Sequence, residues 1–127
     1  MKSHFTYALS ALLAYSASLF SIQQVTNVKI FDTIIQKNNI VLVDFFMPGC
    51  SPCMRMMNIL EEIATGGEFK NVTFIKVNAV QLPKLTDRFD INSVPVIKIF
   101  KNGAEIFSKT GVISATELKK VLLNSMF

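Results

Sequence analysis

The chain has 127 residues, half of them hydrophobic, and a formal net charge of +4. That length suits one domain with a packed core and excludes two, and the basic excess is spread along the chain with no run of the kind that marks a nucleic-acid surface. Two cysteines and one histidine, His4 near the N-terminus, exclude a Cys/His catalytic pair in the folded domain and a four-ligand Cys/His zinc site within one chain.

Residues 1–20 differ in kind from the rest. Lys2 is followed by no Asp, Glu, Lys or Arg until Lys29, the stretch Phe5 to Tyr15 is largely apolar, and Ser16-Ala17-Ser18 supplies small residues. This is the pattern of a signal peptide, with cleavage expected near Ser18-Leu19. A membrane anchor is the first alternative, although the segment is short and hydroxyl-rich where a span needs ~20 mainly apolar residues. A plain N-terminal helix is the second. The expected location is therefore the secretory route or another extracytoplasmic space, with a cytoplasmic or membrane-anchored protein as the alternatives. Residues 21–127 then form the domain.

Within it, Ile22 to Thr26 reads as a first strand. Asn27 is a plausible N-cap for a helix to about Lys37, with Val28, Ile30, Phe31, Ile34 and Ile35 on its apolar side. Ile40 to Phe46 is apolar except for Asp44 and shows no clean alternation, as a strand covered on both faces reads. Pro48-Gly49 stops it. Cys50-Ser51-Pro52-Cys53 follows and opens a segment that is helical to about Ala64 and ends at Thr65-Gly66-Gly67. Pro52 falls in the first turn, where its missing N–H costs little. Met54, Met56, Met57, Ile59, Leu60 and Ile63 are mostly core candidates. Val72 to Val77 is a third strand, Leu82 to Phe89 a short helix and Val96 to Phe100 a fourth strand. Asn102-Gly103 signals a two-residue hairpin, with Glu105 to Lys109 as the returning strand. Ser114 and Glu117 form a capping box ahead of a last helix that aligns Leu118, Val121 and Leu122. The order is βαβαβαββα: an α/β domain with parallel pairs and an antiparallel closing hairpin.

The two cysteines lie where this pattern carries chemistry. A buried strand delivers Cys50 to a helix start, where unpaired backbone N–H groups and the helix dipole stabilise a thiolate. In Cys-X-X-Cys motifs of this kind the thiol pKa falls from ~8.5 to roughly 3.5–7.5. The thiolate is the nucleophile of disulfide exchange. The two-residue spacing is too short for a typical structural staple, which stabilises by closing long loops.

The stretch Val41 to Met57, VLVDFFMPGCSPCMRMM, resembles the active-site region of the thioredoxin family. The likeness continues through Val43-Asp44-Phe45, Val94-Pro95, Phe100-Lys101-Asn102-Gly103 and Gly111, and covers roughly Ser21 to Phe127. The resemblance implies the thioredoxin fold, a central mixed sheet flanked by helices. It implies a thiol-disulfide oxidoreductase that reduces protein disulfides with no bound cofactor. Cys50 would attack the substrate disulfide, and Cys53 would attack the mixed disulfide to release the reduced partner. Asp44, matching an aspartate beneath the family's active site, would move the proton of Cys53, with its pKa raised by burial. Lys76 matches a family lysine near that aspartate, and a structural pairing of the two is compatible with the proton role. Pro95 would be cis, and the backbone of Val94 would pair with an extended substrate segment. Gly111 matches a glycine on the contact surface. A turn with unusual backbone angles would explain it equally well.

The chain also departs from the family. Gly49 stands where tryptophan usually precedes the first cysteine, Phe46 fills a second common tryptophan position, and an acidic position after the third strand aligns with Val80. The dipeptide between the cysteines is Ser-Pro, where Gly-Pro is the better-known form. Loss of the flat side chain at Gly49 is expected to loosen partner docking. The retained proline favours the reducing end of a range from about −270 mV to about −120 mV. The expected partners are disulfide-bearing proteins and an electron donor, either a flavin-containing thioredoxin reductase or a membrane thiol carrier, acting on a monomer. A disulfide oxidase or isomerase is the alternative within the class, favoured by the secretory-type N-terminus. A thiol metallochaperone or non-catalytic binding module is the alternative outside it, since Met47, Met54, Met56 and Met57 are soft ligands near two thiols.

Overall fold

A computed structural model describes residues 22–127. The expected signal or anchor segment, residues 1–20, lies outside the described residues. The elements are β1 (Gln23–Val25), α1 (Val28–Lys37), β2 (Ile40–Phe46), α2 (Ser51–Thr65), β3 (Val72–Asn78), α3 (Pro83–Arg88), β4 (Val96–Lys101), β5 (Ala104–Thr110) and α4 (Ala115–Ser125). They follow the order read from the sequence, with ends differing by a residue or two.

The boundaries have local causes. The Asn27 side chain accepts from the Ile30 N–H at 2.8 Å and starts α1. Ser114 does the same for the Glu117 N–H at 3.2 Å and starts α4. Asn102 and Gly103 have φ of 51° and 85°, the paired positive values of a primed hairpin turn whose twist matches its strands.

The strands form one sheet in the order β1-β3-β2-β4-β5. β1 and β2 run parallel to β3, while β4 runs antiparallel to both β2 and β5. Because β2 lies at the centre, both its faces are covered, which explains its lack of alternation. Ile40 and Leu42 pack with Met56, Leu60 and Ile63 of α2 and Leu118 and Leu122 of α4. Val41, Val43 and Phe45 pack on the opposite face with Phe31 and Ile35 of α1 and Leu85 of α3. Phe89 and Phe100 complete that second layer, their ring centroids 5.6 Å apart in an edge-on arrangement.

This topology brings separate loops to one end of the sheet. Phe46, the last residue of β2, is the register partner of Asn78, the last of β3, and Phe45 pairs with Val96 at the start of β4. Val96 in turn pairs with Thr110 at the end of β5. The segments after β2, β3 and β5 and the segment before β4 therefore emerge together, at the carboxyl ends of the parallel strands, where open α/β sheets place their ligands.

Candidate active site

The segment after β2 carries the cysteines. Gly49 has φ of 74°, a left-handed turn that glycine adopts without steric cost. It swings the chain from the strand into α2. Cys50 is the N-cap of that helix, its sulfur accepting from the Cys53 N–H at 3.2 Å. Cys50 and Cys53 form a disulfide. Cys50 is half-buried and Cys53 is buried, so the two sulfurs differ in access. Pro52 lies in the first turn of α2, as its missing donor allows.

Asp44 sits two residues before the end of β2, on the face that α2 and α4 cover, because it shares a side with Leu42. It is fully buried, and neither carboxyl oxygen has a hydrogen-bond partner among the described residues. Burial pushes its pKa up from 3.8 to about 7, against the opposing pull of the Lys76 charge. Lys76 is its register partner on β3. No ion pair joins the two among the described residues, and the Lys76 ammonium lies over the Phe46 ring at 5.8 Å.

The remaining sequence-derived residues gather at the same end. The Val94-Pro95 bond is cis, and Pro95 is buried. Its carbonyl accepts from the Gly111 N–H at 2.8 Å, which ties the loop after β5 to the start of β4. Gly111 has φ of 91° and nothing within 4 Å of where a Cβ would stand. Backbone conformation is reason enough for glycine there. Gly49 is exposed and faces similarly open space. Val94 is half-buried and takes no hydrogen bond from or to another main-chain group among the described residues.

Two features escape a reading of the sequence. One is a groove of about 210 Å³ formed by the segments after β2 and β3, by α3 and by the segment before β4, whose lining includes Met47, Ala79, Val80, Thr86, Ile91 and Val94. Its walls come from positions far apart in the chain, so no local pattern announces it. The other is Lys98, a buried lysine on β4 whose ammonium lies 2.6 Å from Glu105 and 3.1 Å from the Ser108 hydroxyl. A lone lysine between Ile97 and Ile99 is the signal that was available. The methionines do not converge: Met54 is exposed whereas Met56 is fully buried, which removes the geometric basis for a shared sulfur site on α2.

A family model described as Thioredoxin matches residues 22–124. The chain belongs to the thioredoxin family. It is 36% identical to Thioredoxin 1 of Plasmodium falciparum over 87 residues, covering 68% of this chain and 82% of that protein. It is 32% identical to a thioredoxin of Mycoplasmoides gallisepticum over 100 residues, covering 79% of this chain and 98% of the relative. A solved structure of Plasmodium falciparum thioredoxin superposes with a TM-score of 0.74 at 32% identity, covering 81% of this chain and 98% of that one. This protein is thus a thiol-disulfide oxidoreductase acting on protein disulfides through its Cys-Ser-Pro-Cys pair. Relatives that are themselves thioredoxins do not favour the oxidase or isomerase alternative.

Proposed function

We propose that this thioredoxin passes two electrons to its substrate in a fixed order, first through Cys50 and then through Cys53, with Asp44 moving a proton. With the pair reduced, the Cys50 thiolate attacks one sulfur of a substrate disulfide. A Cys50–substrate disulfide forms, and the other substrate sulfur leaves as a thiolate. Asp44 takes the proton of Cys53. The Cys53 thiolate then attacks Cys50, the second substrate sulfur leaves with a proton, and the protein ends as the Cys50–Cys53 disulfide. Two electrons have passed to the substrate. Val94 pairs with the extended substrate segment, beside Pro95 and Gly111, and Gly49 leaves the approach to Cys50 open.

The observation that carries this order is the unequal access of the two sulfurs: the half-buried Cys50 stands at the helix N-terminus and the buried Cys53 lies behind it. The raised pKa of the unpartnered Asp44 carboxyl supports its role, since a base near 7 matches the working pH. Electron supply comes from a flavin-containing thioredoxin reductase or a membrane thiol carrier, and the protein works as a monomer. The signal-like residues 1–20 support an extracytoplasmic setting, in which the donor must reach across a membrane.

Reduction of insulin disulfides, followed by turbidity with dithiothreitol as electron source, tests this order. Cys50→Ser is expected to abolish catalysis. Cys53→Ser is expected to stop at a mixed disulfide with insulin that is visible by mass. Trapping of insulin on Cys53 in the Cys50→Ser protein would reverse the assignment.

A further inference from the structure

We propose that Met54 is a modification site: hydrogen peroxide converts its thioether to the sulfoxide, and this slows the reduction of protein disulfides at Cys50. The inference rests on the reading that Cys50 is the sulfur that attacks the substrate.

Access singles out this methionine. Among the described residues Met56 is fully buried, Met57 and Met126 are half-buried, and only Met47 and Met54 are exposed, at 41% and 65%. Both flank the redox pair, Met47 three residues before Cys50 and Met54 directly after Cys53. Oxidation of sulfur side chains follows exposure. In the disulfide state Cys50 and Cys53 are bonded to each other. The Met54 thioether is then the most accessible unoxidised sulfur at this corner.

The chemistry is a single oxygen transfer. The thioether sulfur attacks one oxygen of hydrogen peroxide, an S–O bond forms and the O–O bond breaks. The other oxygen leaves as water with both protons. Sulfur loses two electrons and the peroxide gains them. The product is a polar, chiral sulfoxide, which methionine sulfoxide reductases return to the thioether.

Helix geometry makes this change matter at Cys50. The Met54 N–H donates to the Cys50 carbonyl at 3.1 Å. The two residues are therefore one turn apart on α2, a spacing that puts Cβ atoms roughly 5–6 Å from each other. A protein whose sulfur is bonded to Cys50 covers Met54 as well. The thioether suits such a place, because it is apolar and adapts its shape to different partners. The sulfoxide oxygen needs a hydrogen-bond donor, and covering it without one is costly. A small disulfide reaches Cys50 without covering Met54. Sulfoxidation thus acts on protein substrates and spares small ones.

The test exposes the full chain, in its disulfide form, to hydrogen peroxide and maps sulfoxides by peptide mass. Met54 is expected to be oxidised ~10-fold faster than Met56. Treated and untreated protein are then reduced, freed of reductant and mixed with insulin or with symmetrical nitrobenzoate disulfide. The rate constant for insulin is expected to fall ~10-fold after treatment, the scale of one polar group covered without a partner, and that for the small disulfide to stay within about twofold. Met54→Leu, which keeps an apolar side chain of similar volume, is expected to hold its insulin rate through the same treatment. Equal oxidation of Met54 and Met56, an unchanged insulin rate in protein oxidised at Met54, or an equal loss in treated Met54→Leu would overturn the proposal. A loss on the small disulfide as large as that on insulin would overturn it too, because the damage would then lie at the cysteines. If untreated protein fails to reduce the small disulfide, the redox reading falls and this inference falls with it. If untreated protein reduces both substrates and treatment changes neither rate, the inference falls alone.

Discussion

A carboxyl group in the middle of a fully covered strand has a measurable thermodynamic signature. In the unfolded chain Asp44 ionises near 3.8, and in the fold it holds its proton to about 7. Between those values the unfolded state releases a proton that the folded state keeps, so stability falls as pH rises through that window and stays low above it. At ~1.4 kcal/mol per pH unit over roughly three units, the ceiling on the loss is about 4 kcal/mol. Asp44→Asn removes the charge but buries an amide, which offsets part of the gain. Urea unfolding at pH 8 is expected to show the variant more stable by ~2 kcal/mol, and at pH 3 to show no such gain. An identical difference at both pH values would mean that ionisation of Asp44 plays no part. The same variant should lose the fall in the rate of substrate release as pH drops through about 7, because the base that protonates there is gone, and an unchanged profile would remove Asp44 from proton transfer. Gly49 is tested by backbone alone. A Cβ there meets nothing within 4 Å, yet φ is 74°. Gly49→Ala is therefore expected to cost about 1 kcal/mol in unfolding free energy through left-handed strain. No loss of stability would show that the corner can rearrange.

At the scale of elements, α2 separates packing from exposure along one helix. Its apolar residues read as one core list in the sequence, but a helix with a single neighbouring sheet buries one stripe. Met56, Leu60 and Ile63 lie in that stripe and are buried, while Met54 is turned outward. Leu60→Ala is expected to cost about 2–5 kcal/mol, because it leaves a cavity between α2 and the sheet. Met54→Ala should fall within ~0.5 kcal/mol of the parent. Similar losses at both positions, read by chemical denaturation, would contradict the placement of the stripe. Most elements were legible because their signals are local: the Asn27 and Ser114 caps, Pro52 inside a first turn, Asn102-Gly103 in a hairpin. Asp44 was legible for another reason, since one acid in an apolar run is conspicuous. Lys98 carried the same kind of signal, but its solution required knowing that Glu105 and Ser108 stand on the neighbouring strand. The groove was not legible at all, because Met47, Val80 and Val94 meet only once the strand order is known.

At the scale of the whole molecule, function depends on which strands carry the site. The redox corner follows β2, and Pro95 precedes β4. These strands occupy the interior of the sheet, and each is paired on both sides. β1 has three residues and one neighbour, while β5 is an edge whose residues are mostly exposed. Local opening follows buried contact and shared hydrogen bonds. The amides of Val41 to Phe45 and of Ile97 to Ile99 are therefore expected to exchange only through global unfolding. Those of Gln23 to Val25 and the outward-facing amides of β5 should exchange orders of magnitude sooner, through local fraying. This gradient would keep the cysteine corner and Pro95 in fixed relation while the periphery moves. A substrate segment added along Val94 could then meet a preformed surface with little ordering cost. Hydrogen exchange followed residue by residue decides the matter. Uniform protection across all five strands would remove the gradient, and early exchange in β2 or β4 would place the site on a mobile support. In either case the argument for a preformed docking edge would fail, even with the redox chemistry intact.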